Sequence, residues 1–180
     1  MRRSEETMWL KSFFIVAATF VVAASIALVA TAQPVAAAGQ RAQVLFVCRN
    51  GVSMSVWSAA YFNRLAAERG LPQRATARAT ISDYTTVPLR MRFALAVDGF
   101  RLDGYRPHVV TAEDVRDAEH IVIVQGTDDT VLPFEMQAEV RQSEVWRGFS
   151  PMREHYLPAR KAIREKVEDL ITRLTEQDRH

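Results

Sequence analysis

Wholly apolar runs that alternate with amphipathic helical segments predict an α/β domain, a parallel sheet covered by helices on both faces. Two runs carry most of that expectation. Val44-Leu45-Phe46-Val47 and Ile121-Val122-Ile123-Val124 are unbroken apolar stretches and read as strands buried on both sides. The third observation is the junction after the first run, Cys48-Arg49-Asn50-Gly51-Val52-Ser53-Met54-Ser55, which holds the chain's only cysteine. Asn-Gly demands a tight turn, and Ser53 or Ser55 is placed to cap the helix that follows. In such a strand–loop–helix junction the backbone N–H groups converge on the helix N-terminus, where partial positive charge attracts anions. A thiol in that field is favoured as a nucleophile.

Taken in order, the chain opens with Arg2, Arg3 and Lys11, followed by an uncharged run from Ser12 to Gln40 with an apolar core at Phe13–Ala32. Twenty helical residues at about 1.5 Å each reach roughly 30 Å, enough to cross a bilayer. Ala30-Thr31-Ala32 and Ala36-Ala37-Ala38 also offer small-x-small cleavage sites. Residues 1–40 are therefore expected to be a signal peptide or an N-terminal membrane anchor with its linker. Either one places the domain, residues 41–180, outside the cytoplasm: periplasmic or otherwise extracytoplasmic, and tied to the inner membrane only if the segment stays uncleaved.

Within the domain the first strand runs about Val44–Val47 and the first helix about Met54–Arg69, with Trp57, Tyr61, Leu65 and Ala66 on one face. Gly70 and Pro72 end it. Arg74–Thr80 is weak by propensity but supplies the second strand that a βαβ unit needs. Pro88 at its first turn and Gly99 just past its end bracket a second helix, Leu89–Asp98, expected to bury Met91, Leu95 and Phe93. Thr111-Ala112-Glu113-Asp114 reads as a capping box for a short helix ending near Asp117. Ile121–Val124 follows, then a short last strand at Glu144–Trp146. A final helix begins near Met152 or Pro158 and presents Ile163, Val167, Leu170, Ile171 and Leu174 as one stripe.

Composition excludes several classes. Outside residues 1–40 the charge is 20 basic against 19 acidic residues, with no basic block, so nucleic-acid binding is not expected. One cysteine cannot form an internal disulfide, and in an oxidising compartment a lone thiol is a liability unless buried or used. His108, His120 and His155 show no metal spacing, and neither a metal nor a cofactor is expected.

The junction resembles the active-site loop of the low-molecular-weight protein tyrosine phosphatases and the related thioredoxin-coupled arsenate reductases: hydrophobic strand, Cys, five residues, Arg, Ser, helix. Cys48 falls on the family nucleophile and Ser55 on the serine after the arginine. Met54 falls on the arginine itself, and the family's Gly-Asn appears reversed as Asn50-Gly51. Ala77-Arg78-Ala79-Thr80 resembles the family's Ser-Ala-Gly-Thr at the end of strand two, sharing only the threonine. The resemblance spans roughly residues 43–175. It implies a three-layer sandwich on four parallel strands in the order 2-1-3-4, which puts Cys48 at a topological switch point.

The resemblance also implies a mechanism. A thiolate attacks phosphorus, and the loop, here Arg49 to Ser55, holds the equatorial oxygens with its amides. An arginine forks onto two of those oxygens, and an Asp-Pro aspartate late in the chain protonates the leaving group. Met54 has no charge and no donor. Arg78 is the better substitute if that strand end faces the site, with Arg49 the alternative. Trp146-Arg147-Gly148-Phe149-Ser150-Pro151 puts Ser150 where the acid belongs, and a serine is no proton donor near neutral pH. Asp128 and Asp129 follow the third strand and are expected to cap the next helical turn. The expectation is an exported phosphatase-like domain that binds an oxyanion or phosphorylated ligand with little or no hydrolysis. Alternatives are an active cysteine-dependent phosphomonoesterase using Arg78 or Arg49, and an envelope thiol redox protein.

Overall fold

The computed structural model describes residues 44–177 except 82 and 153. The expected signal or anchor segment lies outside these residues. Among the described residues no helix is long and apolar enough to cross a membrane.

Four parallel strands form the sheet in the order β2-β1-β3-β4: β1 Val44–Cys48, β2 Ala75–Ala79, β3 His120–Val124 and β4 Ser143–Trp146. The helices are α1 Met54–Glu68, α2 Leu89–Val97, α3 Ala112–Asp117, α4 Phe134–Gln137 and α5 Tyr156–Gln177. Most of these match the expected elements within a residue or two. The final helix starts between the two expected positions, and α4 was not anticipated because four residues are too few to show a period.

The pleat of the central strands sorts the core into two layers. Val44, Phe46 and Cys48 of β1 join Val122 and Val124 of β3 under α1 and α5, with Trp57, Phe62, Ile163, Val167, Leu170 and Ile171. Leu45, Val47, Ile121 and Ile123 face the other way, against Val115 of α3 and Leu132. Phe46 meets Phe62 edge-on at 6.1 Å and Trp146 at 5.6 Å between ring centroids, so Trp146 seals the core beside β4. The expected capping box of α3 is present, with Thr111 and Asp114 exchanging both bonds.

One core assignment is corrected. Met91 and Leu95 are buried, but Phe93 is 71% exposed. Residue 93 lies two positions, about 200°, from 91 and from 95, so it shares a face with Leu89 and Val97 instead. Pro88 also sits one place earlier than expected, at the N-cap.

The outer strand is tied down by charge. Glu144 of β4 meets the His120 ring at 3.1 Å and accepts two bonds from Arg173 of α5 at 3.0 Å. Burial by itself raises the Glu144 carboxyl, but the bonds from His120 and Arg173 outweigh it and bring the pKa down to about 2 from the ordinary 4.5. A depressed carboxyl contributes stability above its unfolded value that is lost as pH falls through the folded one. Between roughly pH 4.5 and 2 the domain is expected to lose about 2 kcal/mol from this group, a figure discounted for its partial exposure. Glu144→Gln should flatten that limb of a denaturation-versus-pH curve, and an unchanged slope would rule the contribution out.

Candidate active site

The site grows from the end of β1. Cys48 is 2% exposed, and its Sγ lies 3.0 Å from Ser55 Oγ on the first turn of α1. Ser53 occupies the N-cap position of α1, and its carbonyl accepts from the Trp57 amide at 2.9 Å. The Ser53 side chain makes no capping bond, and the first turn carries no acidic residue, so neither offsets the positive end of this helix. The expected cap by Ser53 or Ser55 is thus absent, because Ser55 is turned inward to the sulfur.

The loop is held from outside. The Thr80 amide donates to the carbonyls of Cys48 and Arg49 at 3.1 and 3.0 Å, and the Ile81 amide donates to Arg49 at 2.9 Å. Gly51 has φ +62°, and a Cβ there would stand 3.1 Å from Ala79 Cβ and 3.2 Å from Ala79 N. The Asn-Gly turn therefore serves both a left-handed backbone and a close approach to β2. Tyr105 completes the support, its hydroxyl donating to the Gly51 carbonyl at 2.7 Å. Burial, and after it the neighbouring Cys48 sulfur, push that hydroxyl's pKa well up, so it remains a donor. Tyr105→Phe is expected to cost about 1 kcal/mol. It should also speed iodoacetamide labelling of Cys48 by loosening the loop; an unchanged labelling rate would show that Tyr105 does not hold it.

A cavity of about 300 Å³ opens over the loop. Cys48, Arg49, Asn50, Val52, Ser53 and Met54 form its floor and one wall. Three other segments close it: Tyr84, then Gly126–Asp128 after β3, and Pro151, Met152 and Glu154 before α5. Met54 is 8% exposed, and its Cε lies 3.1 Å from where a Cβ on Gly126 would be. Residue 54 therefore stands in the cavity wall. Asn50 Oδ1 is buried there with no hydrogen-bond partner among the described residues.

Several expected site residues lie elsewhere. Gly51 and Ser55 shape the loop from behind and do not line the cavity. Arg78 does not face it either. Its Nε and Nη2 bind Asp114 Oδ1 on α3 at 2.9 and 2.8 Å. The register pairs Arg78 with Val47, whose side chain belongs to the α3 layer, whereas Cys48 belongs to the opposite layer. Burial alone raises the Asp114 carboxyl, but the bonds from Arg78 and Thr111 hold it below the usual range. Arg49, the less favoured substitute, lines the cavity. Ser150 is partly buried and outside the lining, although its neighbour Pro151 belongs to it.

Asp128 and Asp129 cap no helix, since α4 begins at Phe134 behind Pro133. Asp128 instead lines the cavity and accepts from the Thr130 hydroxyl at 2.7 Å. Glu154, Tyr84 and Tyr105 were not legible as site residues. Each comes from a loop remote in sequence, and no spacing links them to Cys48. Among the described residues no three His, Cys, Asp or Glu side chains converge as a metal site.

A sequence profile of the low molecular weight phosphotyrosine protein phosphatases matches residues 43–179. The chain belongs to that family. No curated protein sequence matches it. Among solved structures it is similar to the arginine phosphatase YwlE of Bacillus subtilis with a phosphorylated active-site serine, at 15% identity, covering 76% of this chain and 97% of that one, TM-score 0.64. It is also similar to the thioredoxin-dependent arsenate reductase of Corynebacterium glutamicum, at 17% identity over 78% of this chain and 65% of that one, TM-score 0.60. A third is the low molecular weight protein tyrosine phosphatase of Streptococcus pyogenes, at 15% identity over 74% and 93%, TM-score 0.58. At these identities the likeness concerns the fold. In this member of the phosphatase family the loop position six residues after the cysteine carries Met54.

Proposed function

We propose that the domain binds an oxyanion or a phosphorylated ligand in the Cys48 loop and hydrolyses it slowly or not at all. The observation that carries this reading is Met54 in the cavity wall, in the same enclosure as Cys48 and an uncapped helix N-terminus. In this reading the loop amides and the thiol still receive the anion, while the group that would fork onto the transition-state oxygens is replaced by a thioether. Losing such a donor costs roughly 10²–10³ in rate, and lacking the late aspartate roughly a further 10²–10⁴. Even with non-additivity, a typical turnover of about 10 s⁻¹ falls to a trickle.

The second reading, a working phosphomonoesterase, is favoured by one feature: Arg49, Asp128 and Glu154 line the cavity with Cys48. In it, Arg49 takes up phosphoryl charge and a carboxylate supplies the proton. A thiol redox role has only the lone cysteine behind it, and a disulfide cascade needs partners that this chain does not carry. Two measurements separate the readings. Phosphate or vanadate should protect Cys48 from alkylation in a saturable way under the first two, and leave labelling unchanged under the third. Turnover on an aryl phosphate, with Cys48→Ser as the blank, then divides the first from the second.

We also propose that the domain works outside the cytoplasm, on the strength of Phe13–Ala32 behind Arg2, Arg3 and Lys11. N-terminal sequencing of envelope fractions tests this. Intact chain in the soluble cytoplasm would defeat it.

A further inference from the structure

The outer face of α2 is apolar and basic at once. Leu89 is 78% exposed, Phe93 71% and Val97 71%, a single stripe at i, i+4 and i+8. Arg90 and Arg92 stand exposed between them, and among the described residues neither side chain makes an ion pair or hydrogen bond. The helix itself carries no carboxylate. Asp98, the first acidic residue after the helix, is turned inward with its side chain 3% exposed, bound to Arg160, Trp57 and Tyr156. Farther along, Leu157 is 68% exposed, next to Tyr156, whose hydroxyl oxygen lies 3.2 Å from the Ala94 carbonyl of α2. Another exposed pair, Val131 and Phe134, shares its segment with Asp129 and Glu135.

We infer that α2 is a docking face for an anionic lipid surface, seating Leu89, Phe93 and Val97 at the headgroup boundary with Arg90 and Arg92 among the phosphates. Exposed Leu, Phe and Val flanked by arginines, on a helix without an acid, combine apolar anchors with positive charge, the two attractions that hold a surface helix to an anionic membrane interface. Charge decides between occupants. A second copy docked through the same face across a two-fold axis would set four arginines together with no carboxylate to answer them. An anionic bilayer answers each arginine, at about 1 kcal/mol per charge near the surface.

The face adjoins the site. Pro88, Arg90, Met91 and Ala94 line a cavity of about 160 Å³ that shares Val52, Ser53 and Met152 with the cavity over Cys48. Docking through α2 thus brings the Cys48 loop close to the lipid headgroups. The inference does not depend on which ligand the loop takes, and its failure would leave the phosphate-protection result untouched.

The test uses the full chain with a nitroxide on Ala96→Cys in a Cys48→Ser background, mixed with phosphatidylcholine vesicles with or without phosphatidylglycerol. Ala96 is exposed on α2, and its replacement keeps all three apolar anchors. In anionic vesicles the probe should become accessible to oxygen and shielded from a water-soluble nickel complex. In purely zwitterionic vesicles it should stay in water, even where the segment Phe13–Ala32 holds the chain on the bilayer. Changing both Arg90→Gln and Arg92→Gln should cut the ratio of lipid-embedded to aqueous probe roughly thirtyfold. A probe that stays aqueous in anionic vesicles overturns the inference. So does equal insertion in both lipids with no effect of the arginine changes. Spin–spin broadening in buffer without vesicles would assign the face to a second copy and overturn it equally.

Discussion

Met54→Arg is expected to tighten phosphate binding by about 10- to 100-fold, because a charge-assisted fork of hydrogen bonds contributes about 1.5–3 kcal/mol when added to an existing cradle. The structure makes this change specific. Residue 54 already lies in the cavity wall, its tip packed against Gly126 where a Cβ would crowd it. Turnover on an aryl phosphate should rise by less than affinity alone suggests, since leaving-group departure still wants a proton. Ser150→Asp alone should change little, because residue 150 is partly buried beside the cavity and has no charge fork to work with. The double change should exceed the product of the single effects, as the two groups act on one transition state. Calorimetry on folded Met54→Arg showing unchanged phosphate affinity would sink the proposed cradle. A rise in turnover that Glu154→Gln then removes would identify Glu154 as the proton donor.

Asp98→Ala is expected to remove about 3 kcal/mol of stability, roughly 10 °C in Tm for a domain of this size. Asp98 Oδ2 accepts from Trp57 Nε1 at 2.9 Å and from the Tyr156 hydroxyl, and Oδ1 pairs with Arg160 at 2.8 Å. One buried carboxylate therefore joins the end of α2 to α1 and to the start of α5. Burial, and then this carboxylate, push the Tyr156 hydroxyl's pKa well up. Truncation strands the Trp57 donor at 1% exposure and takes the partner from the Tyr156 phenol and from Arg160, which is 35% exposed. Asp98→Asn should recover part of the loss by still accepting from Trp57. A thermal melt within about 2 °C of the parent would mean that the network is not what holds α2 against α5.

The parts of the site that were legible in the sequence are those built within one short stretch. Cys48, the Asn-Gly turn and residue 54 lie within seven positions, so a strand, a left-handed glycine and a helix start define their geometry together. Arg78 was not legible in the same way. Whether it faced Cys48 or α3 depended on one step of pleat, and its register with Val47 turned it to Asp114. Asp128 and Glu154 were placed by loops that meet only when β3 and α5 are packed. Asp128 read as a cap because Asp commonly caps helices, but Pro133 took that position.

By itself the sequence determined the order of elements, the parallel sheet and the placing of residues 48 and 54 on one strand–loop–helix junction, because apolar periods and turn residues act over a few positions. It did not determine which stripe of α2 goes inside. Leu89, Met91, Phe93, Leu95 and Val97 form two apolar stripes, Met91 with Leu95 and Leu89 with Phe93 and Val97, each repeating every four residues. Nothing local favours either. Tertiary packing decided it: Asp98 at the end of the helix binds Trp57, Tyr156 and Arg160. Met91 and Leu95 then meet the core, and the larger stripe is left in the open.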